Sequence, residues 1–367
     1  MVTLSLLLIC FGITLFFYLK LPKFGKLAKG EQKERIQASP NFREGKFQNI
    51  HVTPDLTDGA TLFSVLTDQF FGKDKNNFPK HTIPSQKISL QALDPKENLL
   101  VWFGHSSYFL QLDGKRFLVD PVLSGNASPI PGTVKAFKGT SLYTPDDIPA
   151  IDYLLLTHDH WDHMDYDTLK KIQPRVKRIV TGLGNAAHLE YWGFDPAIIE
   201  EKDWNESVVL ENGFTIHTTS ARHFSGRTLK RQQSIWLSFV LQTHSCKLFL
   251  GGDSGYDTHF KEIGEKYGPF DLALLECGQY NTSWKFIHML PEQVVEAAID
   301  LSAKRLMPVH WGKFALAFHA WDEPVKRVVK AAQEKQVPLL TPMIGEKVSL
   351  DDMPQEFSKW WEEVNTK

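Results

Sequence analysis

The segment LLLTHDHWDHMD, residues 154–165, places the tightest constraint on what this chain can fold into. Three histidines and three aspartates fall within eight residues directly behind an apolar run. The most conspicuous of these, at offsets of 0, 2, 4 and 5, are His158, His160, Asp162 and His163. Neither one helix face nor one strand face presents those offsets together, so the side chains require a loop that follows a buried strand.

Three later segments that resemble strands also end in a candidate metal ligand. FTIHTTSARHFSGR contains His223, KLFLGGDSG contains Asp253 between glycines, and RLMPVHWG contains His310. Because a single ion would be crowded by so many ligands, the set predicts two ions roughly 3.5–4 Å apart. Neutral imidazole and carboxylate suit zinc and tolerate manganese or iron, so we expect two Zn²⁺ ions per chain.

The rest of the hydrophobic pattern predicts an α/β fold. Strand-like segments include IDYLLLT, VKRIVTG, SIWLSFVLQT and DLALLEC, and helical patterns lie near 165–173, 184–192, 256–266, 291–303 and 323–335. Asp113-Gly114 between apolar runs predicts a hairpin. With 367 residues and 42% hydrophobic content, the chain can bury one large core. Two sheets packed face to face with helices outside would account for this pattern.

The N-terminal segment TLSLLLICFGITLFFYL predicts a membrane anchor over residues 1–20. As a helix it would extend roughly 26 Å, and lysines follow it but do not precede it. This arrangement predicts a single-pass protein of the cell membrane, with the part of the chain that follows the anchor facing the cytoplasm. A cleaved signal peptide and lipidation at Cys10 are the alternatives. Residues 21–90 are polar and irregular and predict an extended arm, and residues 351–367 a C-terminal tail.

Charge argues against a nucleic-acid partner. The 41 basic and 43 acidic residues leave a formal charge of −2, and no basic stripe interleaved with aromatic residues is visible. The three cysteines are scattered and form no ligand or disulfide pattern. We therefore expect any metal to be held by histidine and aspartate, and the sequence leaves a homodimer open.

Several motifs carry a family resemblance. THDHWDH at a strand end resembles the signature of the metallo-β-lactamase superfamily, and the chain is more closely similar to N-acyl-phosphatidylethanolamine-hydrolysing phospholipases D and their bacterial relatives. HFSGR, which includes Arg227, has the form common in those bacterial relatives. The other supporting stretches, which together cover most of residues 22–325, are SPNFREGKFQN, WFGHSSYFLQLDGKRFLVDPVLSG, SARHFSGR, GGDSGY, HMLPEQ and VHWGKFALAFHAWDEP.

The resemblance implies a four-layer αβ/βα sandwich, with residues 91–350 as the catalytic domain and a dinuclear zinc site within it. One zinc would be held by His158, His160 and His223. The other would be held by Asp162, His163 and His310. Asp253 would bridge the two ions.

Other residues are candidates for roles around these ligands. Asp120 and Asp159 are expected to orient ligand imidazoles, although Asp120 would equally cap a turn. His105 lies in a loop between hairpin strands and is a candidate for a position near the active site, with a place away from it as the alternative. His288 resembles a position near the family's active site and is expected to contact the phosphate or protonate a leaving group, with a structural histidine as the alternative. Arg227 is expected either to pair with a phosphate or to form an exposed salt bridge.

The leading hypothesis is a zinc hydrolase that uses a metal-bridged hydroxide to cleave phosphodiesters, as in a phospholipase D acting on N-acyl-phosphatidylethanolamine. We expect Asp162, Asp253 and His288 to act directly in the chemistry. A lactonase or ester hydrolase is the first alternative, because the same nucleophile attacks carbonyl carbon. A membrane-tethered metal-binding module without catalysis is the second alternative.

Overall fold

The computed structural model describes residues 2–72, 76–227, 229–351 and 355–364. The α-helices in these residues are α1 Val2–Tyr18, α2 Glu31–Ala38, α3 Leu62–Phe71, α4 Tyr166–Ile172, α5 Ala186–Tyr191, α6 His259–Tyr267, α7 Pro291–Asp300, α8 Glu323–Lys335 and α9 Trp360–Val364. The strands are β1 Phe42–Arg43, β2 Lys46–Phe47, β3 Leu99–Trp102, β4 Tyr108–Leu112, β5 Lys115–Val119, β6 Ile151–Leu156, β7 Val176–Gly182, β8 Ile199–Lys202, β9 Ser207–Val209, β10 Thr215–Thr219, β11 Ser238–Gln242, β12 Lys247–Leu250, β13 Leu272–Glu276, β14 Leu306–Val309 and β15 Lys347–Ser349.

Two large sheets organise the chain. A seven-stranded sheet has the order β15-β3-β4-β5-β6-β7-β8, and a six-stranded sheet has the order β14-β13-β12-β11-β10-β9. Strands β5 to β8 are parallel, as are β12 to β14, and the remaining neighbours are antiparallel. Asp113 and Gly114 both have positive φ in the β4–β5 turn, which is the hairpin predicted from the sequence.

Strand β6 shows how the core is divided. Leu155 belongs to a core cluster shared with the six-stranded sheet, whereas Leu154 and Leu156 belong to a second cluster with α4 and α5. A strand buried on both faces favours the continuous apolar run found here over an alternating pattern. On the other sheet, α7 contacts β13 and β14. The prediction of a mixed α/β fold with more than one sheet is therefore confirmed.

The prediction of a membrane anchor is wrong. Among the described residues, none of the helices combines the length and apolar character needed to cross a bilayer. α1 has 17 residues. At ~1.5 Å per residue it extends about 26 Å, against roughly 30 Å of hydrocarbon. The predicted single-pass location in the cell membrane is therefore wrong as well. The predicted orientation towards the cytoplasm depended on the anchor and has no support without it.

The predicted arm and tail both contain regular structure. The arm, residues 21–90, includes α2, α3 and the short β1–β2 hairpin. In the tail, Trp360 and Trp361 are buried, and the Trp360 ring stacks 5.3 Å from that of Trp311. The parts of these two predictions that fall on residues 73–75, 352–354 and 365–367 lie outside the described residues.

Candidate metal centre

The structure brings together all seven residues that the sequence singled out as metal ligands. In one group of four, ligand atoms of His158, His160, His223 and Asp253 all lie within 4.8 Å of one another. In a second group, those of His105, Asp162, His163 and His310 satisfy the same distance. The two groups match the predicted division into two ligand sets, with His105 added to the second.

Asp253 lies between the two groups. Its Oδ2 is 3.9 Å from Nε2 of His158 and 3.7 Å from Nε2 of His223. Its Oδ1 is 3.2 Å from Nε2 of His163 and 3.2 Å from Nδ1 of His310. The preceding Gly252 permits this approach, since a Cβ there would lie 2.6 Å from the carbonyl oxygen of Leu237.

The centre contains buried polar atoms that remain unsatisfied. Nε2 of His158, Nε2 of His163 and Oδ1 of Asp253 find no hydrogen-bond partner in the described part of the chain. The last two atoms are near each other but are not aligned as a hydrogen bond. Buried polar atoms normally have partners, and imidazole nitrogen with carboxylate oxygen is a donor set that binds divalent metal ions. The residues present therefore fit a metal.

Asp120 orients one of the ligands, as the sequence predicted. Its Oδ2 lies 2.8 Å from Nδ1 of His163 and also accepts the hydroxyl proton of Thr157. Its Oδ1 accepts the backbone N–H of Thr157. A carboxylate at Nδ1 fixes the tautomer and directs Nε2 of His163 into the centre.

Burial and charge set the protonation of the ligands. Burial lowers the pKa values of His158, His223 and His310 well below the usual range, so these imidazoles stay neutral and free to bind metal. Burial would also lower the pKa of His163, but Asp253 and Asp162 raise it well above its ordinary value. Because Asp162 and Asp253 favour a positive charge at His163, the same carboxylates suit a bound cation.

Asp159 does not have the role predicted for it. Although burial alone would raise its pKa, His188 nearby lowers it to about 2. Its oxygens accept the N–H of Gly226 and the hydroxyl of Ser234, and none of the seven candidate ligands donates to it. Asp159 therefore joins two loops. One is the loop after His223, and the other is the loop after β6 that carries the ligands from His158 to His163, here called the metal-binding loop.

Both predictions for Arg227 are wrong, because its side chain is buried at 3% exposure. Its Nη1 donates to the carbonyls of Asp159 and Met164, and its Nε donates to the carbonyl of Lys23 in the arm. The guanidinium also lies 4.0 Å from the centre of the Trp161 ring. Arg227 thus holds the backbone of the metal-binding loop in place, and it is not among the residues that line the pocket.

His105 and His288 both adjoin the centre. Nε2 of His105 is 2.8 Å from Oδ2 of Asp162. His288 lines the pocket, and its Nδ1 is 3.6 Å from Oε2 of Glu276, a buried carboxylate at the end of β13. The sequence analysis missed Glu276, although an acidic residue ending the apolar segment DLALLE is a usable signal.

The centre opens into a cavity of about 540 Å³. Candidate ligands from both groups line it, among them His160, Asp162 and Asp253. The rest of the lining is largely apolar, and it includes Leu56, Phe224, Trp284, Ile287 and Leu316. Leu56 belongs to the arm, residues 21–90, so the arm supplies part of the pocket.

A buried pair of His and Asp clusters at the strand ends of a two-sheet α/β fold defines a metal-dependent hydrolase of the metallo-β-lactamase type. A family model for the beta-lactamase superfamily domain matches residues 115–311, and the chain belongs to this superfamily. The resemblance noted from its motifs is confirmed.

Several proteins are similar to the chain over much of its length. The chain is 36% identical over 334 residues to an uncharacterized protein of Mycobacterium tuberculosis, covering 89% of this chain and 88% of that protein. It is 31% identical over 253 residues to N-acyl-phosphatidylethanolamine-hydrolyzing phospholipase D 1 of Caenorhabditis elegans, covering 64% of this chain and 70% of that protein. Among solved structures, the metallo hydrolase Igni18 of Ignicoccus hospitalis superposes with a TM-score of 0.55 at 21% identity, covering 72% of this chain and 100% of Igni18.

Proposed function

We propose that this chain is a dinuclear zinc phosphodiesterase that hydrolyses N-acyl-phosphatidylethanolamine-type phospholipids in the manner of a phospholipase D. The observation that carries the proposal is the pocket, in which two His and Asp clusters meet a largely apolar wall. A charged phosphodiester next to an acyl chain matches that division into polar and apolar surfaces. Homology to phospholipases D of this class supports the same substrate.

The metal ligands are assigned by cluster. His158, His160 and His223 would hold one ion, and Asp253 would contact both. The residues that would hold the other ion are Asp162, His163 and His310. When bound, zinc lowers the pKa of a coordinated water and neutralises charge on the oxygens of the phosphodiester.

The chain's own side chains would position the substrate and move its protons. His105 holds Oδ2 of Asp162 and so fixes the direction of that carboxylate. His288 lies on the pocket wall with Glu276 behind its Nδ1, which leaves Nε2 for a phosphate oxygen or the leaving group. Asp162, Asp253 and His288 are therefore the residues proposed to act on the substrate.

The apolar wall would hold an acyl chain. Trp284 and Phe224 provide large aromatic surfaces, which stabilise apolar ligands chiefly by removing them from water. At the rim, Arg231 stacks 4.1 Å from the Phe224 ring centre and pairs with Asp55 at 3.1 Å. This exposed pair places a cation among the residues that line the pocket.

A substrate panel tests the proposal. Purified protein loaded with zinc is assayed against N-acyl-phosphatidylethanolamine, bis-p-nitrophenyl phosphate and a set of lactones. Release of phosphatidate from the lipid is the expected result, whereas turnover of lactones alone would reject the phosphodiesterase assignment and favour an ester hydrolase.

Two variants test the assigned residues in the same assay. Asp253→Ala should abolish both activity and tight binding of a second zinc ion. His288→Asn should lower kcat while both zinc ions remain bound. Full activity in Asp253→Ala would contradict the two-metal assignment.

A further inference from the structure

Part of the arm is built into the wall of the metal centre. Residues 47–58, here called the strap, lie between two loops, and two of them, Asp55 and Leu56, line the pocket. At one end, the backbone N–H of Phe47 donates to the carbonyl of Gln232. At the other end, the backbone N–H of Thr57 donates to the carbonyl of Ser283 over 2.8 Å. The strap is therefore held on both sides of the site.

Within the strap, Asn49 contacts the backbone of a candidate metal ligand. Its Nδ2 donates to the carbonyl of His223 over 2.8 Å, and its Oδ1 accepts the N–H of His223 over 3.1 Å. The same Oδ1 accepts the indole N–H of Trp236 over 3.0 Å. One amide side chain thus satisfies both backbone groups of His223.

This pairing occurs where the sheet no longer supports the chain. His223 lies four residues beyond Thr219, the last residue of β10, so its N–H and C=O have left the strand ladder. A primary amide carries one acceptor and two donors and can replace the peptide group of a neighbouring strand. Asn49 therefore supplies the two backbone hydrogen bonds that a neighbouring strand would otherwise supply to His223.

The imidazole of His223 is fixed separately. Its Nδ1 lies 2.9 Å from the carbonyl oxygen of Ile287, which selects the tautomer with an unprotonated Nε2, and that Nε2 lies 3.2 Å from Nδ1 of His160. Nε2 then points to the cluster that contains His158, His160 and Asp253. Ring direction depends on Ile287, whereas the position of the whole residue depends on Asn49.

We infer that Asn49 is a positioning residue for His223, which makes the strap a structural part of the metal centre. The inference takes from the proposed function only that His223 is a metal ligand. Outer contacts that hold the side chain of a ligand are worth about 10- to 100-fold in metal affinity, and we take the same range for a contact that holds the ligand's backbone. Loss of the Asn49 amide should raise the zinc dissociation constant of the site containing His223 by about that factor and leave the other site less affected.

The test is a zinc titration of the full chain against a competing chelator, with zinc per chain measured by elemental analysis. Asn49→Ala is the main variant and Gln48→Ala is the matched control, because Gln48 is an amide in the same strap that donates to the carbonyl of Arg43 and not to a candidate ligand. His223→Ala gives the value for complete loss of the ligand. Thermal unfolding is measured for zinc-loaded and zinc-free protein of each variant.

The expected result is weaker zinc binding in Asn49→Ala, with a smaller increase in melting temperature on adding zinc, while Gln48→Ala behaves as wild type. Equal loss of stability with and without zinc, at unchanged zinc affinity, would overturn the inference and leave Asn49 a merely structural residue. If Asn49→Ala is recovered unfolded, Asn49→Asp gives the answer, since it keeps the acceptor for the N–H of His223 and removes the donor to its C=O. Native zinc affinity in folded Asn49→Asp would also overturn the inference.

The same measurements separate this inference from the proposed function. Undiminished zinc binding in His223→Ala would reject the ligand assignment and, with it, the role of Asn49. Tight zinc binding without cleavage of any phosphodiester would reject only the proposed substrate, because zinc affinity is read without substrate.

Discussion

Replacing Asp120 by asparagine should weaken zinc binding selectively at the site that contains His163. The carboxylate accepts three hydrogen bonds, and the one from Nδ1 of His163 is 2.8 Å long and buried. Asparagine has nearly the same shape and keeps one acceptor oxygen, but it removes the negative charge that makes the imidazole a better ligand. The expected loss is about 10- to 100-fold in affinity, equivalent to roughly 1.4–2.8 kcal/mol.

Competition titration with a chromophoric chelator, which follows the two zinc ions separately, provides the assay. Glu201→Gln is the matched control, because Oε1 of Glu201 is also buried and accepts the backbone N–H groups of Gly184 and Ala186, yet contacts none of the candidate ligands. Both variants should unfold at a lower temperature, since each loses charge-assisted hydrogen bonds. Only Asp120→Asn should lose zinc affinity, and native affinity at both of its sites would refute the reasoning.

Two further predictions concern stability and substrate choice. Burial lowers the pKa of His259 to about 4. Between roughly pH 4 and 6.5 the unfolded chain therefore binds a proton at His259 that the folded chain does not, and His259 alone should lower the free energy of unfolding by at most roughly 3 kcal/mol as the pH falls through that window. Urea titrations at several pH values should show a flatter dependence for His259→Gln, while His244→Gln, at an exposed position, keeps the wild-type slope. Trp284→Ala should reduce kcat/KM for a long-chain lipid by roughly tenfold or more, because about 1.5–3 kcal/mol of apolar contact is lost. The same variant should hardly change kcat/KM for bis-p-nitrophenyl phosphate, which has no acyl chain. Equal losses on both substrates would contradict an acyl-binding wall.

The sequence was most informative where a short pattern has few structural solutions. The offsets of His158, His160, Asp162 and His163 require a loop after a strand, and that loop follows β6. His223, Asp253 and His310 were found because each comes shortly after a recognisable strand, and such ends meet at one edge of a fold of this type. Local spacing therefore predicted which side chains converge.

Contacts between distant segments were not predictable in the same way. Nothing around Asn49 indicates that its amide faces a residue 174 positions later. Arg227 was predicted to pair with a phosphate or to form an exposed salt bridge, because its burial depends on two distant contacts, with Trp161 and with the carbonyl of Lys23. The wrong prediction of a membrane anchor over residues 1–20 has a different origin. Composition predicts an apolar helix there, but it does not fix the residue at which that helix ends.

The separation between Asn49 and His223 also has a consequence for folding kinetics. Contacts of high contact order form late, because the entropy of closing a long loop must be overcome before any stabilisation is gained. A refolding chain would regain its hairpins and sheets first and acquire tight zinc affinity only once the strap has docked. Circular dichroism and zinc uptake, followed in the same stopped-flow experiment, should then proceed at different rates.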